Sequence, residues 1–169
     1  MKSKAAIANH PIHPALVVVP IGAFFLALVG DTAHTISALD FWYRFSEVCL
    51  GVGVLSGLAA AIPGFVDYFG VDMGATAGRL ATKHMLINVS GIVLYGINFL
   101  LRRNDAALHT PRWPLVFGLE ILTFGALGVS GWIGGELVFE HRVGVVEPAQ
   151  HFQKPPASGR RSRRAVKAS

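Results

Sequence analysis

The chain has 169 residues, of which 52 % are hydrophobic and 15 % are charged, and its mean hydropathy is +0.49. This composition excludes an ordinary soluble domain and predicts a protein that is embedded in a lipid membrane. The formal net charge is +5, but six basic residues near the C-terminus account for all of it. The rest of the chain is close to neutral, so nucleic-acid binding is not implied.

A motif of histidines and prolines, His10-Pro11-Ile12-His13-Pro14, precedes the first apolar stretch, which runs from Ala15 to Gly30. Proline is tolerated in the first turn of a helix, where backbone N–H groups lack partners anyway, so the motif predicts the start of a membrane helix. The lysines before it resemble the charged part of a signal peptide. Asp31, however, stands where a cleavage site needs a small residue, so we expect this helix to be retained.

Three further apolar segments are long enough to cross a bilayer. We predict spans near residues 13 to 33, 42 to 67, 84 to 102 and 113 to 138, with a Gly- and Ala-rich loop before the third. Asn88 and Asn98 are expected to face inward. The fold class is therefore an all-α, integral membrane four-helix bundle over residues 1–146, followed by a disordered basic tail over residues 147–169.

Small residues mark two of the predicted spans. Gly53 and Gly57 in the second span allow another helix to approach closely. In the fourth span, glycine recurs every three residues, which predicts a flat face packed against a neighbouring helix or, less commonly, against a flat ring such as a porphyrin. We expect two of these glycines, Gly128 and Gly131, to face the bundle.

The distribution of Lys and Arg predicts the orientation in the membrane. Eleven of the 15 basic residues fall on the side that carries both termini and the link between spans two and three, and four fall on the other side. This bias predicts a protein of the inner membrane with both termini in the cytoplasm. The basic tail is expected to interact with anionic lipid head groups.

Polar side chains from all four spans are predicted to meet at the cytoplasmic rim. A single histidine there is most often a headgroup residue, but convergence from four segments makes a shared site an equally good interpretation. The residues that we place at this rim are His10 and His13, Asp67, His84, and Glu136, Glu140 and His141.

The chemistry that these residues suit is haem or metal binding. Iron in an electron-transfer haem takes two axial bases from opposite faces, and we predict His84 and His13 as that pair, with His10 and His141 next. Asp67 and Glu136 would then orient an imidazole N–H. If a divalent ion such as zinc or iron binds instead, the same carboxylates become candidate ligands. The candidate metal ligands are His10, His13, His84, His141, Asp67 and Glu136.

The opposite rim carries a smaller group of polar residues, among them Asp31, His34 and Glu47. Glu120 falls inside the fourth span, where a carboxylate is costly unless it is neutral, paired or hydrated, so it should face the interior. We predict Arg44 as its partner. A structural polar network is favoured here over a second redox or ion site.

Two long motifs at the ends of the domain resemble one family. These are His10-Pro11-Ile12-His13-Pro14-Ala15-Leu16-Val17, leading to Pro20, and the stretch from Gly134 to Val145 that contains Glu136 and Phe139-Glu140-His141-Arg142. They resemble the bacterial membrane proteins called domain of unknown function 2231, over roughly residues 8–146. The resemblance implies a four-helix membrane domain that is sometimes fused to a Rieske-type domain and is similar to two-haem membrane cytochromes b. The tail here lacks cysteine and is no Rieske domain.

Two classes of function remain open from the sequence. The first is a b-type haem or metal-ion protein that passes electrons to a redox partner protein, and the second is a non-catalytic membrane scaffold or subunit in which the rim histidines are structural. Cys49 is the only cysteine and no Cys-x-x-Cys-His is present, so any haem b would be held non-covalently. Hydrolase and nucleotide-binding motifs are absent, no repeat typical of transporters is visible, and enzymatic activity is left undecided.

Overall fold

A computed structural model describes residues 1–104 and 112–145. Four of its helical segments are long and apolar enough to cross a membrane, which confirms the predicted all-α, four-helix membrane architecture. The tail at residues 147–169 lies outside the described residues. The elements in chain order are the paired antiparallel strands β1 (Ala6–Ile7) and β2 (His10–Pro11), then α1 (Ile12–Leu16), α2 (Val18–Ser37), α3 (Asp40–Gly70), α4 (Gly74–Asn104) and α5 (Trp113–Phe139).

The third span begins a full ten residues earlier than the sequence predicts. The segment interpreted as a Gly- and Ala-rich loop forms the first turns of α4, so that prediction is wrong. Alanine is the best helix former, and Ala77 and Ala81 pack against Leu137 of α5, which supplies a reason for these turns to be ordered. As a result, His84 lies well inside α4, about 15 Å along the helix from its start.

The helices form a ring in which each contacts its neighbours. α2 packs on α3, α3 on α4, α4 on α5, and α5 returns to α2, while α1 rests on α3. Phe24, Ala27, Leu50 and Tyr95 make up the buried centre. Large apolar side chains elsewhere point outward, for example Trp132, which is 80 % exposed, as expected for a surface solvated by lipid.

Side chains from the first half of the domain, α1–α3, meet side chains from the second half, α4–α5, at a nearly constant offset along the chain. The constant offset gives the contacting residues equivalent positions in the two halves, from which we infer an approximate two-fold axis along the bundle. Three of the meeting pairs are separated by 71 residues in the chain. The pairs are His13 with His84, Phe24 with Tyr95, Asp31 with Arg102, and Tyr43 with Trp113.

The glycines divide between the interior and the outer surface. Gly53 and Gly57 lie where Phe24 and Ile92 approach α3, which confirms their predicted role in close packing. In α5, by contrast, Gly128 and Gly131 are exposed, with open space where a Cβ would be, so the prediction that they face the bundle is wrong. A step of three residues falls short of a full turn by about 60°, so a three-residue repeat drifts around the helix.

Candidate functional site

The structure brings together the two histidines that the sequence ranks first. The ring centroids of His13, in α1, and His84, in α4, lie 6.3 Å apart, and the ring planes are perpendicular. Both side chains are half-buried. Their approach follows from the topology, because α1 and α4 begin at the same end of the bundle and the two histidines occupy equivalent positions about its axis.

Each imidazole is held by a backbone carbonyl of a helix from its own half of the domain. Nδ1 of His13 lies 2.8 Å from the Ala60 oxygen in α3, and Nδ1 of His84 lies 2.9 Å from the Ser130 oxygen in α5. A carbonyl only accepts, so in each ring Nδ1 donates the hydrogen and Nε2 keeps its lone pair. This tautomer is the one that a metal-binding histidine adopts when its other nitrogen is oriented by the protein.

A glycine one turn beyond each carbonyl makes room for the ring. A Cβ atom at Gly64 would lie 2.9 Å from Nδ1 of His13, and a Cβ atom at Gly134 would lie 3.0 Å from Cε1 of His84. Any larger residue at either position must displace the imidazole. The two glycines therefore form part of the site, although neither carries a functional group.

Ser130 and Asn88 form a small polar network beside His84. The Asn88 amide donates to Ser130 Oγ at 2.7 Å and to the His84 carbonyl at 2.8 Å, which confirms that Asn88 faces inward. Ser130 Oγ also lies 3.0 Å from Nδ1 of His84. The network fixes the ring on the side away from His13.

The remaining predicted rim residues do not join this pair. His10 is exposed, with Nδ1 2.9 Å from the Ala8 oxygen, and His141 and Glu136 are half-buried at the end of α5. Asp67 accepts hydrogen bonds from the N-terminal segment, so the expectation that it orients an imidazole is wrong: backbone carbonyls take that role. Within the described parts of the chain, no three His, Cys, Asp or Glu side chains gather into a metal site.

The N-terminal segment packs over the same end of the bundle. The Asp67 carboxylate accepts from the Ser3 hydroxyl at 2.8 Å and from the backbone N–H of Lys4 at 2.7 Å. The Gly144 N–H donates to the Met1 oxygen at 2.8 Å, which joins this segment to the chain beyond α5. Both ends of the described membrane domain therefore lie on the same side of the bundle.

A second polar cluster, which we call the ionic network, lies at the opposite end and centres on Arg102. Its guanidinium is 1 % exposed and donates to both carboxylate oxygens of Asp31, to Ser46 Oγ at 3.0 Å and to Glu120 Oε2 at 3.0 Å. Nε of Arg102 donates to Asn98 at 2.8 Å, which confirms the predicted inward position of Asn98.

The predicted partner of Glu120 is wrong. Arg44 lies on the outside and pairs with Glu47 at 3.0 Å, one turn away on the same helix, whereas Arg102 pairs with Glu120. The sequence interpretation treated Arg102 as a residue that ends span three. Its position four residues after Asn98, on the same face of α4, was the available indication that it points inward.

Aromatic rings enclose the arginine. Its guanidinium carbon lies 5.7 Å from the ring centre of Tyr43 and 5.6 Å from that of Trp113, two residues at equivalent positions of the two halves. His34 contacts both of these rings. The end of the bundle opposite the histidine pair is thus a buried polar core centred on Arg102, as the interpretation of a structural network predicts.

The family model of a predicted membrane protein, DUF2231, matches residues 9–147. The chain belongs to the DUF2231 family. No curated protein and no solved structure matches this DUF2231 protein. The matched residues include the histidine pair, their two glycines and every member of the ionic network.

Proposed function

We propose that this DUF2231 protein is a membrane electron-transfer protein in which His13 and His84 would hold the iron of a haem b. The observation that carries the proposal is the pairing of two imidazoles whose Nδ1 atoms are both engaged by backbone carbonyls. Two Nε2 lone pairs on the axis of a membrane bundle are the donor set that such an iron requires.

The spacing of the rings fits one metal between them. A metal–nitrogen bond to imidazole is about 2.0 Å long, so two rings that would hold one ion have centroids up to about 6 Å apart. The centroids here lie 6.3 Å apart, close to this limit. Each ring would give the iron a single nitrogen.

The number of ligands favours haem over a bare ion. A structural zinc site takes four protein ligands, whereas the described residues bring together only two imidazoles and no third His, Cys, Asp or Glu. A porphyrin supplies four nitrogens of its own and needs only two from the protein. Bound there, haem iron would supply reversible one-electron transfer.

The chain's own residues would orient the ligands and limit access by water. Gly64 and Gly134 admit the imidazoles, and the carbonyls of Ala60 and Ser130 set their tautomers. The N-terminal segment, anchored on Asp67, packs over this end of the bundle. A protein tunes the redox potential of such a centre through the basicity of the ligands and the access of solvent.

The setting that we propose is the inner membrane, with both termini and the histidine pair on the cytoplasmic side. The basic residues of this side, among them Arg79 and Lys83 near the start of α4, support that orientation. The same charges would attract anionic lipid head groups, and an electron donor or acceptor protein would approach from this side.

The test is the optical spectrum of the protein purified from membranes, recorded before and after reduction with dithionite, together with its iron and haem content. The proposal expects a Soret band with sharp α and β bands on reduction. Alanine at His13 or His84 should abolish them, while the matched variant His10→Ala, at an exposed histidine of the same motif, should keep them. A colourless, haem-free native preparation would refute the proposal.

A scaffold function is the second candidate, and one observation favours it. Gly125, Gly128 and Gly131 of α5 are exposed, with open space in place of a side chain. In lipid, small residues let a partner helix approach closely. Loss of a co-purifying membrane protein on Gly128→Leu, from a preparation without haem, would support this second function.

A further inference from the structure

The ionic network contains an acidic side chain that is not fully satisfied. Glu120 is fully buried, and although its Oε2 accepts from Arg102, its Oε1 has no hydrogen-bond partner. The hydroxyl of Tyr95 is also buried without a partner. Among the described residues, these are the only two buried side-chain polar atoms left unpaired.

The charges of the network do not balance if all its groups are ionised. Arg102 carries one positive charge, and it faces two carboxyl groups, those of Asp31 and Glu120, each of them fully buried. A net negative charge inside hydrocarbon is costly, and one proton on a carboxyl group removes it. Arg102 of α4 pairs with Glu120 and with Asp31 of α2, and its guanidinium lies over Tyr43 of α3, which contacts His34 of α2. The other titratable side chains of the interior, Cys49 of α3 and Tyr95 of α4, belong to the buried centre.

The two carboxyl groups share one nitrogen of the guanidinium, because Nη2 of Arg102 donates to an oxygen of each. Two ionised carboxylates held so close together repel each other, and a proton on one of them removes the repulsion. Asp31 already receives two hydrogen bonds from the guanidinium of Arg102, whereas Glu120 receives one. The better-satisfied anion is Asp31, and the proton therefore belongs to Glu120.

We propose that Glu120 is a membrane-embedded proton site, which holds one exchangeable proton beside the Asp31–Arg102 ion pair. The ligand is a proton, bound as a neutral carboxylic acid. Eighteen residues of α4, about 27 Å of helix, separate Arg102 from His84, so this site does not depend on the histidine pair.

Infrared spectroscopy of the full-length protein in lipid nanodiscs tests the proposal, because a carboxylic acid has a C=O stretching band apart from those of carboxylates and amides. At neutral pH the native protein should show one such band, which shifts in D2O. Glu120→Gln should abolish it. The matched control Glu47→Gln removes a carboxylate that has its own arginine at the same end of the bundle, and the band should remain.

Two further variants keep the test decisive if Glu120→Gln fails to fold. In Asp31→Asn, Glu120 becomes the only carboxylate for Arg102, so it should ionise and the band should disappear. In Tyr95→Phe, which removes the other unpaired buried polar atom but no carboxyl group, the band should remain. The absence of the band in the native protein, or its survival in Glu120→Gln or in Asp31→Asn, would overturn the assignment to Glu120.

Discussion

Phe24 and Tyr95 stack face to face, with ring centroids 3.8 Å apart and planes within 7° of parallel. They occupy equivalent positions of the two halves, so the stack lies on the approximate two-fold axis of the bundle. The histidine pair lies on this axis toward one end, and the ionic network lies on it toward the other. The stacked rings of Phe24 and Tyr95 thus lie between the two polar centres of the four-helix domain.

The glycine at position 134 should be required for the histidine pair. Gly134→Ala places a Cβ atom 3.0 Å from Cε1 of His84, so the ring must shift by a few tenths of an ångström and the variant should hold less of the haem that we propose. Gly128→Ala, in the same helix but facing open space, should keep full occupancy. Haem and metal content per protein measures both, and equal content in the two variants would contradict the role given to Gly134.

Substitution of Arg102 should lower the stability of the domain more than substitution of any other basic residue in it. Arg102→Met leaves the carboxyl groups of Asp31 and Glu120 buried without a cation, which should destabilise the fold by about 3–5 kcal/mol. Thermal unfolding in detergent measures this. Arg103→Met, at the neighbouring exposed position, is the control and should melt within a few degrees of the native protein.

The N-terminal segment should be released when its anchor on α3 is removed. Asp67→Ala deletes the acceptor for the Ser3 hydroxyl and for the N–H groups of Lys4 and Ala5. We expect trypsin to cleave at Lys2 and Lys4 several-fold faster in this variant. Asp72→Ala, which removes a carboxylate in the nearby α3–α4 connection, should leave the cleavage rate unchanged, and equal rates in all three proteins would refute the anchoring role.

The orientation that we propose from the charge bias can be tested with reporter fusions. A phosphatase that is active only in the periplasm should be inactive when fused after Val146 and active when inserted near Asp105. The structure places both ends of the described domain together, since Gly144 donates to the Met1 oxygen. The reverse pattern of activity would place both ends in the periplasm.

Hydropathy alone was sufficient to predict four spans and the all-α class, because a lipid solvent requires long apolar segments. It failed at the start of α4, where alanine and glycine composition is equally compatible with a loop. The sequence also does not show which face of α5 points into the bundle. Exposed and buried faces of a membrane helix are both apolar, so nothing in the composition around Gly128 distinguishes them.

The sequence predicts the two histidines of the candidate site but not the groups that hold them in place. His13 and His84 were ranked first because they begin apolar stretches on the same side of the membrane. Their hydrogen-bond partners are the backbone oxygens of Ala60 and Ser130. Every residue carries a backbone oxygen, so the sequence does not show which of them a histidine will contact. Arg102 was missed as the partner of Glu120 because its position at the end of a span suggested a headgroup residue.

Electron paramagnetic resonance of the oxidised, full-length protein tests the central claim most directly. Two imidazoles on one ferric haem, with their planes perpendicular as those of His13 and His84 are, should give a highly anisotropic low-spin signal. His84→Ala should convert any remaining haem to a high-spin species or release it. A native protein that shows no haem iron signal, or a signal unchanged in His84→Ala, would contradict the account.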